Sequence, residues 1–309
     1  MATVTGTRGD DHLSGTSSAD YIQGLGGNDN VRGLGGGDTI LTGTGDDVID
    51  GGDGDNRINA DQTNFSIPTS GSDGIGGDDI VTCGNGADII ATWGGNDVVH
   101  AGGGVDQVFT GDGNDVIYAG DGSNAQLQEV QAGRGNDRLY GGNDRDNLRG
   151  GEDNDILYGG AGDDRLAGGS GNDRVFGESG ADELSGREGL DQLAGGAGND
   201  RFDYDAVIES KPGAANRDVI VDFAGVGAAV GDRIDLSTID ANTSKSGNQA
   251  LVFKGTGAIT GAGQVHVIAS GADTLIQANT GGSLAVEMEI LVKDGAATPG
   301  QWVAGDFIF

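Results

Sequence analysis

The stretch GGAGDDRLAGGSGNDRVFG (Gly159–Gly177) contains two consecutive nonapeptides built to the same pattern. Each unit begins with glycine, carries Asp at its sixth position and places one large apolar side chain, Leu166 or Val175, at its eighth. The other positions are too small or too polar to build a conventional core. This pattern predicts a fold in which many short, equivalent units each bury one side chain.

The same nonapeptide recurs along two-thirds of the chain. Eight units follow one another without a slip from Ala132 to Asp203, and two earlier blocks begin at Gly6 and Gly74. Of the 20 units, 18 have Asp at the sixth position and two have Asn, namely Asn56 and Asn124. We therefore expect a first roll block at 1–59, an inserted loop at 60–73, second and third blocks at 74–203 with a short insertion near 125–128, and a C-terminal domain at 204–309.

The composition alone would place the chain close to disordered proteins. It has 64 Gly, 5% aromatic residues, a single Cys and a formal net charge of −32, so little apolar surface offsets the chain entropy. A strict period argues against disorder, because a solvated chain has no reason to repeat a large apolar residue every nine positions. The last three positions of a unit suit a short strand and the glycine-rich first six a turn. Two units then form one coil, and the sequence predicts an all-β, right-handed parallel β-roll of ten coils.

Such a roll stacks the sixth-position carboxylates in a row along each edge. Like charges about 5 Å apart repel by roughly 1 kcal/mol per pair even in water, so each row of carboxylates needs a positive counter-charge. Carboxylates and backbone carbonyls are the hard oxygen ligands that Ca²⁺ prefers, and Mg²⁺ resists so complete a dehydration. The predicted calcium ligands are Asp11, Asp20, Asp29, Asp38, Asp47, Asp79, Asp88, Asp97, Asp106, Asp115, Asp137, Asp146, Asp155, Asp164, Asp173, Asp182, Asp191 and Asp200.

The units GGAGDDRLA, GGSGNDRVF and GGAGNDRFD match the repeat G-G-x-G-x-D-x-U-x position by position, and the chain therefore resembles RTX proteins. The resemblance implies a calcium-bound β-roll in which the sixth-position Asp and turn carbonyls hold the ions. The segment RFDYDAVIES…RDVIVDF…GDRIDLSTID is similar to the region that follows the roll in serralysin-type proteases and to roll modules of mannuronan epimerases. The final DFIF resembles the end of export signals read by the type I secretion apparatus, although an ordinary last strand would read the same way.

Beyond Asp203 the period stops and alternating apolar segments take over, which predicts a small β-rich end domain. The predicted strands lie within 218–224, 232–237, 250–255, 264–270, 273–278 and 284–292.

Several functions are disfavoured by the residues present. A field of this sign repels nucleic acid, and no apolar stretch is long enough for a transmembrane segment. The three histidines, His12, His100 and His266, do not form H-E-x-x-H, and no G-x-S-x-G occurs, so we expect no enzyme. The leading interpretation is a secreted, extracellular or cell-surface calcium-binding protein that folds on export. The alternatives are the exported tail of a hydrolase and a membrane-active RTX protein, which vesicle leakage and the upstream reading frame would distinguish.

Units of equal parity share a sheet, so the ninth positions of one sheet predict a ladder of rings on its outer face. We call this set the aromatic ladder; its members are His100, Tyr118, Tyr140, Tyr158 and Phe176. Stacked rings stabilise neighbouring strands, and the same ladder is a candidate binding strip for polysaccharide or another surface.

Overall fold

The computed structural model divides the chain into two compact units, Met1–Gly162 and Asp163–Phe309. It describes residues 1–60, 77–121, 128–228, 230–241, 248–281, 284–294 and 297–309. Apart from Ala60, the loop predicted at 60–73 lies outside the described residues, as does 125–127 of the second predicted insertion.

The first unit consists of short strands that alternate between two parallel sheets. Odd-numbered strands form one sheet and even-numbered strands the other, so the chain crosses from sheet to sheet at every step. The strands are β1 (Thr3–Thr5), β2 (His12–Ser14), β3 (Tyr21–Gln23), β4 (Asn30–Arg32), β5 (Thr39–Leu41), β6 (Val48–Gly52), β7 (Arg57–Asn59), β8 (Ile80–Cys83), β9 (Ile89–Ala91), β10 (Val98–His100), β11 (Gln107–Asp112), β12 (Val116–Tyr118), β13 (Gln128–Arg134), β14 (Arg138–Gly142), β15 (Asp146–Glu152) and β16 (Ile156–Ala161).

The register follows the nonapeptide. Partner residues on paired strands are two units apart, as in Val99↔Ile117 between β10 and β12. From Ile22 to Leu157, each eighth-position side chain points between the sheets and is at most 1% exposed, which makes a core one residue wide, whereas Leu13 of the first nonapeptide is half-buried. These core residues are Ile22, Val31, Ile40, Ile49, Ile58, Val81, Ile90, Val99, Val108, Ile117, Val130, Leu139, Leu148 and Leu157.

At Gly135, a fourth-position residue, glycine is required by the spacing of the coils, although Ser18, Asp144 and Asp153 hold the fourth position in other units. Gly135 has φ +124°, and a Cβ there would collide with the carbonyl oxygen of Gly113 in the adjacent coil. A larger residue would combine an unfavourable backbone conformation with a clash against main chain.

The second unit continues the same alternation and then changes character. Strands β17, β19, β21, β23 and β28 form one parallel sheet, and β18, β20, β22 and β27 form the other. β26 and β25 extend this second sheet through antiparallel pairs, and β24 pairs with β25 in parallel. Their bounds are β17 (Arg165–Gly171), β18 (Arg174–Ser179), β19 (Glu183–Gly189), β20 (Gln192–Ala194), β21 (Arg201–Asp203), β22 (Val219–Ile220), β23 (Arg233–Asp235), β24 (Val252–Phe253), β25 (Gln264–Ser270), β26 (Asp273–Asn279), β27 (Met288–Val292) and β28 (Phe307–Ile308), with 3-10 helices at Pro299–Gln301 and Ala304–Asp306.

Each of the six C-terminal segments predicted to be β contains a strand. The predicted all-β parallel β-roll is confirmed in both units. The roll sheets do not stop at Asp203, because β22 pairs with β20 and β23 pairs with β21, both in parallel. In the described residues, no helix is long and apolar enough to cross a membrane.

The residues DFIF contain the last strand of the second unit, Phe307–Ile308, and Asp306 ends the 3-10 helix before it. Phe307 pairs with Ile234 of β23 and is buried against the rings of Trp302 and Phe253. Asp306 accepts hydrogen bonds from the backbone N–H groups of Gly227 and Val303. The apolar and acidic parts of this motif are thus both used in packing the folded unit.

Candidate metal sites at the roll edges

Between consecutive strands, positions one to six of each nonapeptide form a corner. Corners that precede odd-numbered strands make the first edge of the first unit, and corners that precede even-numbered strands make its second edge. The predicted ligands lie in these corners, directly before the strands. Seventeen of the 18 are at most 2% exposed, and Asp11, in the second corner of the chain, is half-buried.

At many corners of both edges, one oxygen of the carboxylate joins a hydrogen-bonded ladder that runs along the edge. On the second edge, the backbone N–H of Asp29 donates to Oδ1 of Asp47 at 2.8 Å, and that of Asp115 donates to Oδ1 of Asp137 at 2.8 Å. On the first edge, the N–H of Asp88 donates in the same way to Asp106 at 2.9 Å. In these contacts the sixth-position side chain supports the main chain of the coil before it, and its Oδ1 is held in place.

The other oxygen, Oδ2, is buried and lacks a hydrogen-bond donor at many corners. Within the described residues this holds at corners of both units, for example at Asp29, Asp38, Asp106, Asp137, Asp182, Asp191 and Asp200. A buried carboxylate oxygen without a donor costs free energy. A cation is the natural partner, because each of these oxygens is already part of an acceptor-only group.

First-position glycines leave room for these oxygens. A Cβ on Gly33 would lie 2.5 Å from Oδ2 of Asp38, and a Cβ on Gly177 or Gly195 would collide with the equivalent oxygen of its own corner. At these three corners glycine leaves free the space that the carboxylate occupies. Other corners carry a side chain at the first position, such as Ala101 before Asp106 and Ala132 before Asp137.

Burial raises the pKa of sixth-position carboxyl groups in the hydrogen-bonded ladder of the roll edges. Desolvation is the largest cause at each, and it raises the pKa of Asp137 and Asp191 to about 7 and that of Asp106 and Asp182 to about 6. The charged carboxylates are thus poorly compensated by the protein alone at neutral pH. This is the electrostatic situation that a bound divalent cation would relieve.

Two corners near the N-terminus are different. In the corner of Asp20, the hydroxyl of Thr16 donates to Oδ2 at 2.7 Å and the Thr16 N–H donates to it at 2.6 Å. The Ala2 backbone N–H and the Thr16 hydroxyl lower the pKa of Asp20, in contrast to the ladder groups named above. Thr7 contacts Asp11 in the same way, through its hydroxyl at 3.0 Å and its N–H.

The structure extends the ladder to two residues that the periodicity did not single out. The N–H of Asp191 donates to Oδ1 of Asp218 at 2.9 Å, and the N–H of Asp200 donates to Oδ1 of Asp232 at 3.0 Å. They follow their partners by 27 and 32 residues, whereas most ladder steps span 18. The signal for them was the triplet Asp-x-Ile, since both precede a buried Ile as ladder Asp residues do.

One sixth position was assigned to the wrong residue. Asn124 lies outside the described residues, and the register places Gln128 opposite Asp146 at the start of β13 and β15. Gln128 is fully buried, and its Nε2 donates to the carbonyl oxygen of Gly120 at 3.0 Å. The insertion shifts the count by four residues, and only the strand pairing shows where the period resumes.

Four rings of the aromatic ladder stack on the outer face of the even-numbered sheet of the first unit. The centroids of His100 and Tyr118 are 4.6 Å apart, those of Tyr118 and Tyr140 4.8 Å, and those of Tyr140 and Tyr158 5.1 Å. Interplanar angles are at most 8°, so each ring face lies against the next ring. Phe176 holds the ninth position of β18 in the second unit.

Among the described residues, no group of three or more His, Cys, Asp and Glu side chains is arranged to hold a metal ion. The candidate sites are of another kind, in which one carboxylate oxygen faces the glycine-rich main chain of its corner. Oxygen donors of this type fit Ca²⁺, which accepts carboxylate and backbone carbonyl ligands together.

The repeating corners define the class of a parallel β-roll with acidic, glycine-rich turns. The chain belongs to the family of the RTX calcium-binding nonapeptide repeat, which confirms the resemblance to RTX proteins. The family matches more than half of the chain, at residues 5–40, 32–64, 73–108, 100–125, 129–157, 140–175 and 167–202.

Two solved structures are similar to the chain. The AlgE6R2 subunit of the Azotobacter vinelandii mannuronan C5-epimerase is 24% identical, with 52% of this chain and 91% of that one covered and a TM-score of 0.37. The AlgE6R3 subunit of the same epimerase is 24% identical, with 53% and 78% covered and a TM-score of 0.24. Comparison with curated proteins gives no match.

Proposed function

We propose that the chain is a secreted calcium-binding protein whose roll closes when Ca²⁺ fills its corners, and that it acts outside the cell as a non-catalytic surface or binding protein. The observation that carries this proposal is the buried Oδ2 without a donor, repeated at Asp29, Asp106, Asp137 and Asp191 among others. The 18 predicted Asp residues are its proposed ligands, and Asp218 joins them as a ladder member with a raised pKa, about 8, caused by burial.

Electrostatics supports a folding switch. With a net charge of −32 and carboxylates whose pKa burial raises, the metal-free roll is destabilised at neutral pH. Extracellular calcium modules bind with Kd of about 10⁻⁴–10⁻³ M, so their sites fill only where calcium is plentiful. Metal binding and folding are then one process. The chain would stay expanded in the cytosol and fold outside it.

The test is a calcium titration of the purified chain followed by far-UV circular dichroism, with magnesium as the control. We expect a cooperative coil-to-β transition near millimolar calcium that magnesium does not reproduce and a chelator reverses. A chain that is already fully folded in chelator would refute the proposal, because the rows of carboxylates along its edges would then need no cation.

Export is the second part of the proposal. It is supported by the resemblance of the C-terminal region to that of serralysin-type proteases, and the type I secretion apparatus is the partner this implies. Asp306 and Phe307 are buried in the folded unit, so the apparatus would read DFIF only before folding. Expression beside a type I system tests this. Deletion of residues 307–309 should abolish export, and unchanged export would refute it.

The aromatic ladder is proposed as the contact surface for an extracellular polysaccharide or cell-surface glycan. Tyr118 is 38% exposed, and Arg138 adds an exposed cation beside Tyr140. Because the ring faces cover one another, a ligand would meet ring edges and hydroxyl groups rather than stack on an open face.

Serine substitution of Tyr140 and Tyr158 together tests this surface. We expect glycan retention to be lost while calcium-induced folding is kept. Phe109→Ser, on the outer face of the other sheet, is the matched control and should retain binding. Retention by the double variant equal to that of the unmodified chain would refute the binding role.

A further inference from the structure

Two sixth positions carry an amide in place of a carboxylate, and both amides make the same contact. Nδ2 of Asn56 donates to the carbonyl oxygen of Gly52 at 3.0 Å, and Nε2 of Gln128 donates to that of Gly120 at 3.0 Å. In both cases the acceptor is the second-position carbonyl of the same corner. The contact therefore shows what lies opposite the second side-chain atom of a sixth-position residue.

Asn56 keeps its place in the ladder while making this contact. Its Oδ1 accepts from the N–H of Asp38 at 2.9 Å, and its own N–H donates to Oδ1 of Asp88 at 2.6 Å. Only the second atom differs from the carboxylate corners. Where Asp38 on the same edge presents an Oδ2 without a donor, Asn56 presents an NH₂ group with its acceptor already in reach.

An amide nitrogen in this position removes both reasons for a cation. It carries no negative charge to be neutralised, and its positive hydrogens point at the carbonyl oxygen that a cation would use. At Asp20 the need for a cation is removed in another way, because Thr16 donates to Oδ2 from both its hydroxyl and its N–H. Thr7 makes the same two contacts with Oδ2 of Asp11. The corners of Asp11, Asp20 and Asn56 therefore have a hydrogen bond at the atom that lacks one in the corners of Asp38 and Asp106.

We infer that the corners of Asp11, Asp20 and Asn56 are closed by hydrogen bonds and hold no calcium, which removes Asp11 and Asp20 from the proposed ligands; the inference rests on the proposed calcium binding of the remaining corners. Gln128 is not included, because its Oε1 is buried and lacks a donor among the described residues. Asp11 lies on the second edge, before β2, whereas Asp20 and Asn56 lie on the first edge, which bears seven sixth-position residues in the first unit, namely Asp20, Asp38, Asn56, Asp88, Asp106, Gln128 and Asp146. The second edge bears Asp at every such position from Asp29 to Asp155. The first unit therefore carries a calcium-rich edge and an edge whose calcium sites are interrupted.

The experiment counts ions bound per full-length chain by native mass spectrometry in calcium, with circular dichroism to verify folding. Asn56→Asp should bind one ion more than the unmodified chain. Asn56→Ala should leave the count unchanged, because no ion is lost with the side chain. Asp88→Ala, at the next corner of the same edge, is the matched control and should bind one ion fewer.

The outcomes separate this inference from the proposal beneath it. If the unmodified chain binds no calcium, the proposed function fails. If it binds calcium and Asp88→Ala loses one ion, but Asn56→Ala also loses one, the amide corner holds an ion and the inference is wrong. An unchanged count in a folded Asn56→Asp variant would likewise contradict it. Should Asn56→Asp not fold, Asn56→Ala still decides.

Discussion

Replacing Asp137 by Asn should make the roll easier to fold while removing one of its calcium ions. Asp137 is 1% exposed, its Oδ1 accepts from the N–H of Asp115, and its Oδ2 has no donor among the described residues. An Asn there keeps the first contact and can donate from Nδ2 to the carbonyl of Gly133, the counterpart of Gly52 opposite Asn56. The substitution converts a carboxylate corner into an amide corner.

The size of the effect follows from the pKa of Asp137, which burial raises from 3.8 to about 7. At about pH 8 the Asp137 carboxyl group is ionised in both the folded and the unfolded chain. Keeping it ionised in the folded state then costs about 4 kcal/mol of folding free energy. Calcium at about 10 mM and a Kd of about 10⁻⁴–10⁻³ M returns roughly 1.4–2.7 kcal/mol at one site. The advantage of Asn should therefore be largest in chelator and shrink as calcium rises.

Urea unfolding at a series of calcium concentrations measures this difference directly. Asp137→Asn should reach its folding midpoint at lower calcium than the unmodified chain and show a weaker dependence of stability on calcium. Asp78→Asn is the matched control, since it removes the same charge from an exposed fifth position and should change stability by no more than about 0.5 kcal/mol. A midpoint shifted to higher calcium would refute the reasoning, because the buried charge would then not be what calcium offsets.

Three further substitutions or conditions test other parts of the architecture. In chelator, circular dichroism should show more β-structure at about pH 5 than at about pH 8. Burial raises the pKa of Asp47 and Asp191 to about 7, so the folded chain binds protons more tightly than the unfolded chain, and the folding stability gained at low pH is lost as the pH rises through 7. A spectrum that does not change with pH would contradict this prediction. Leu139→Ala, which empties a fully buried core position, should cost about 2–5 kcal/mol in urea unfolding at saturating calcium, and a loss below 1 kcal/mol would show that neighbouring coils collapse into the space. Gly33→Ala places a Cβ against the carbonyl oxygen of Gly51 and 2.5 Å from Oδ2 of Asp38 and should raise the calcium midpoint. An unchanged midpoint would mean that both of these groups move aside.

The nonapeptide predicted the strands and the core because the strand and the buried side chain of each unit are both specified within its own nine residues. Leu166 and Val175 occupy equivalent positions, and the structure buries both, at 2% and 0% exposure. Two-residue alternation then predicted the C-terminal strands without any repeat. What a single sequence could not supply was the pairing of segments separated by irregular lengths of chain.

Asp218, Asp232 and Gln128 illustrate that limit. Each lies at a ladder register position, but a break in the period separates it from its neighbour along the edge. Strand pairing restores the register after the break, and pairing depends on which backbone hydrogen bonds form between coils. A search for the triplet of Asp, any residue and a buried apolar residue would have found the two Asp residues, but not Gln128.

The hydrogen bonds to Oδ1 of the sixth-position residues all run in the same direction along the chain. In every contact described, the acceptor belongs to a later coil and the donor to an earlier one, as from Asp182 to Asp200 and from Asp200 to Asp232. For these Oδ1 contacts alone, removing an early coil frees only an acceptor, whereas removing a late coil leaves an N–H without its carboxylate partner, at about 1–3 kcal/mol. Asp232 ends the series differently, since its Oδ2 accepts from the N–H of Ala224 at 2.7 Å. As far as the Oδ1 contacts are concerned, shortening such an array by whole repeats is thus less costly at its N-terminal side than at its C-terminal side.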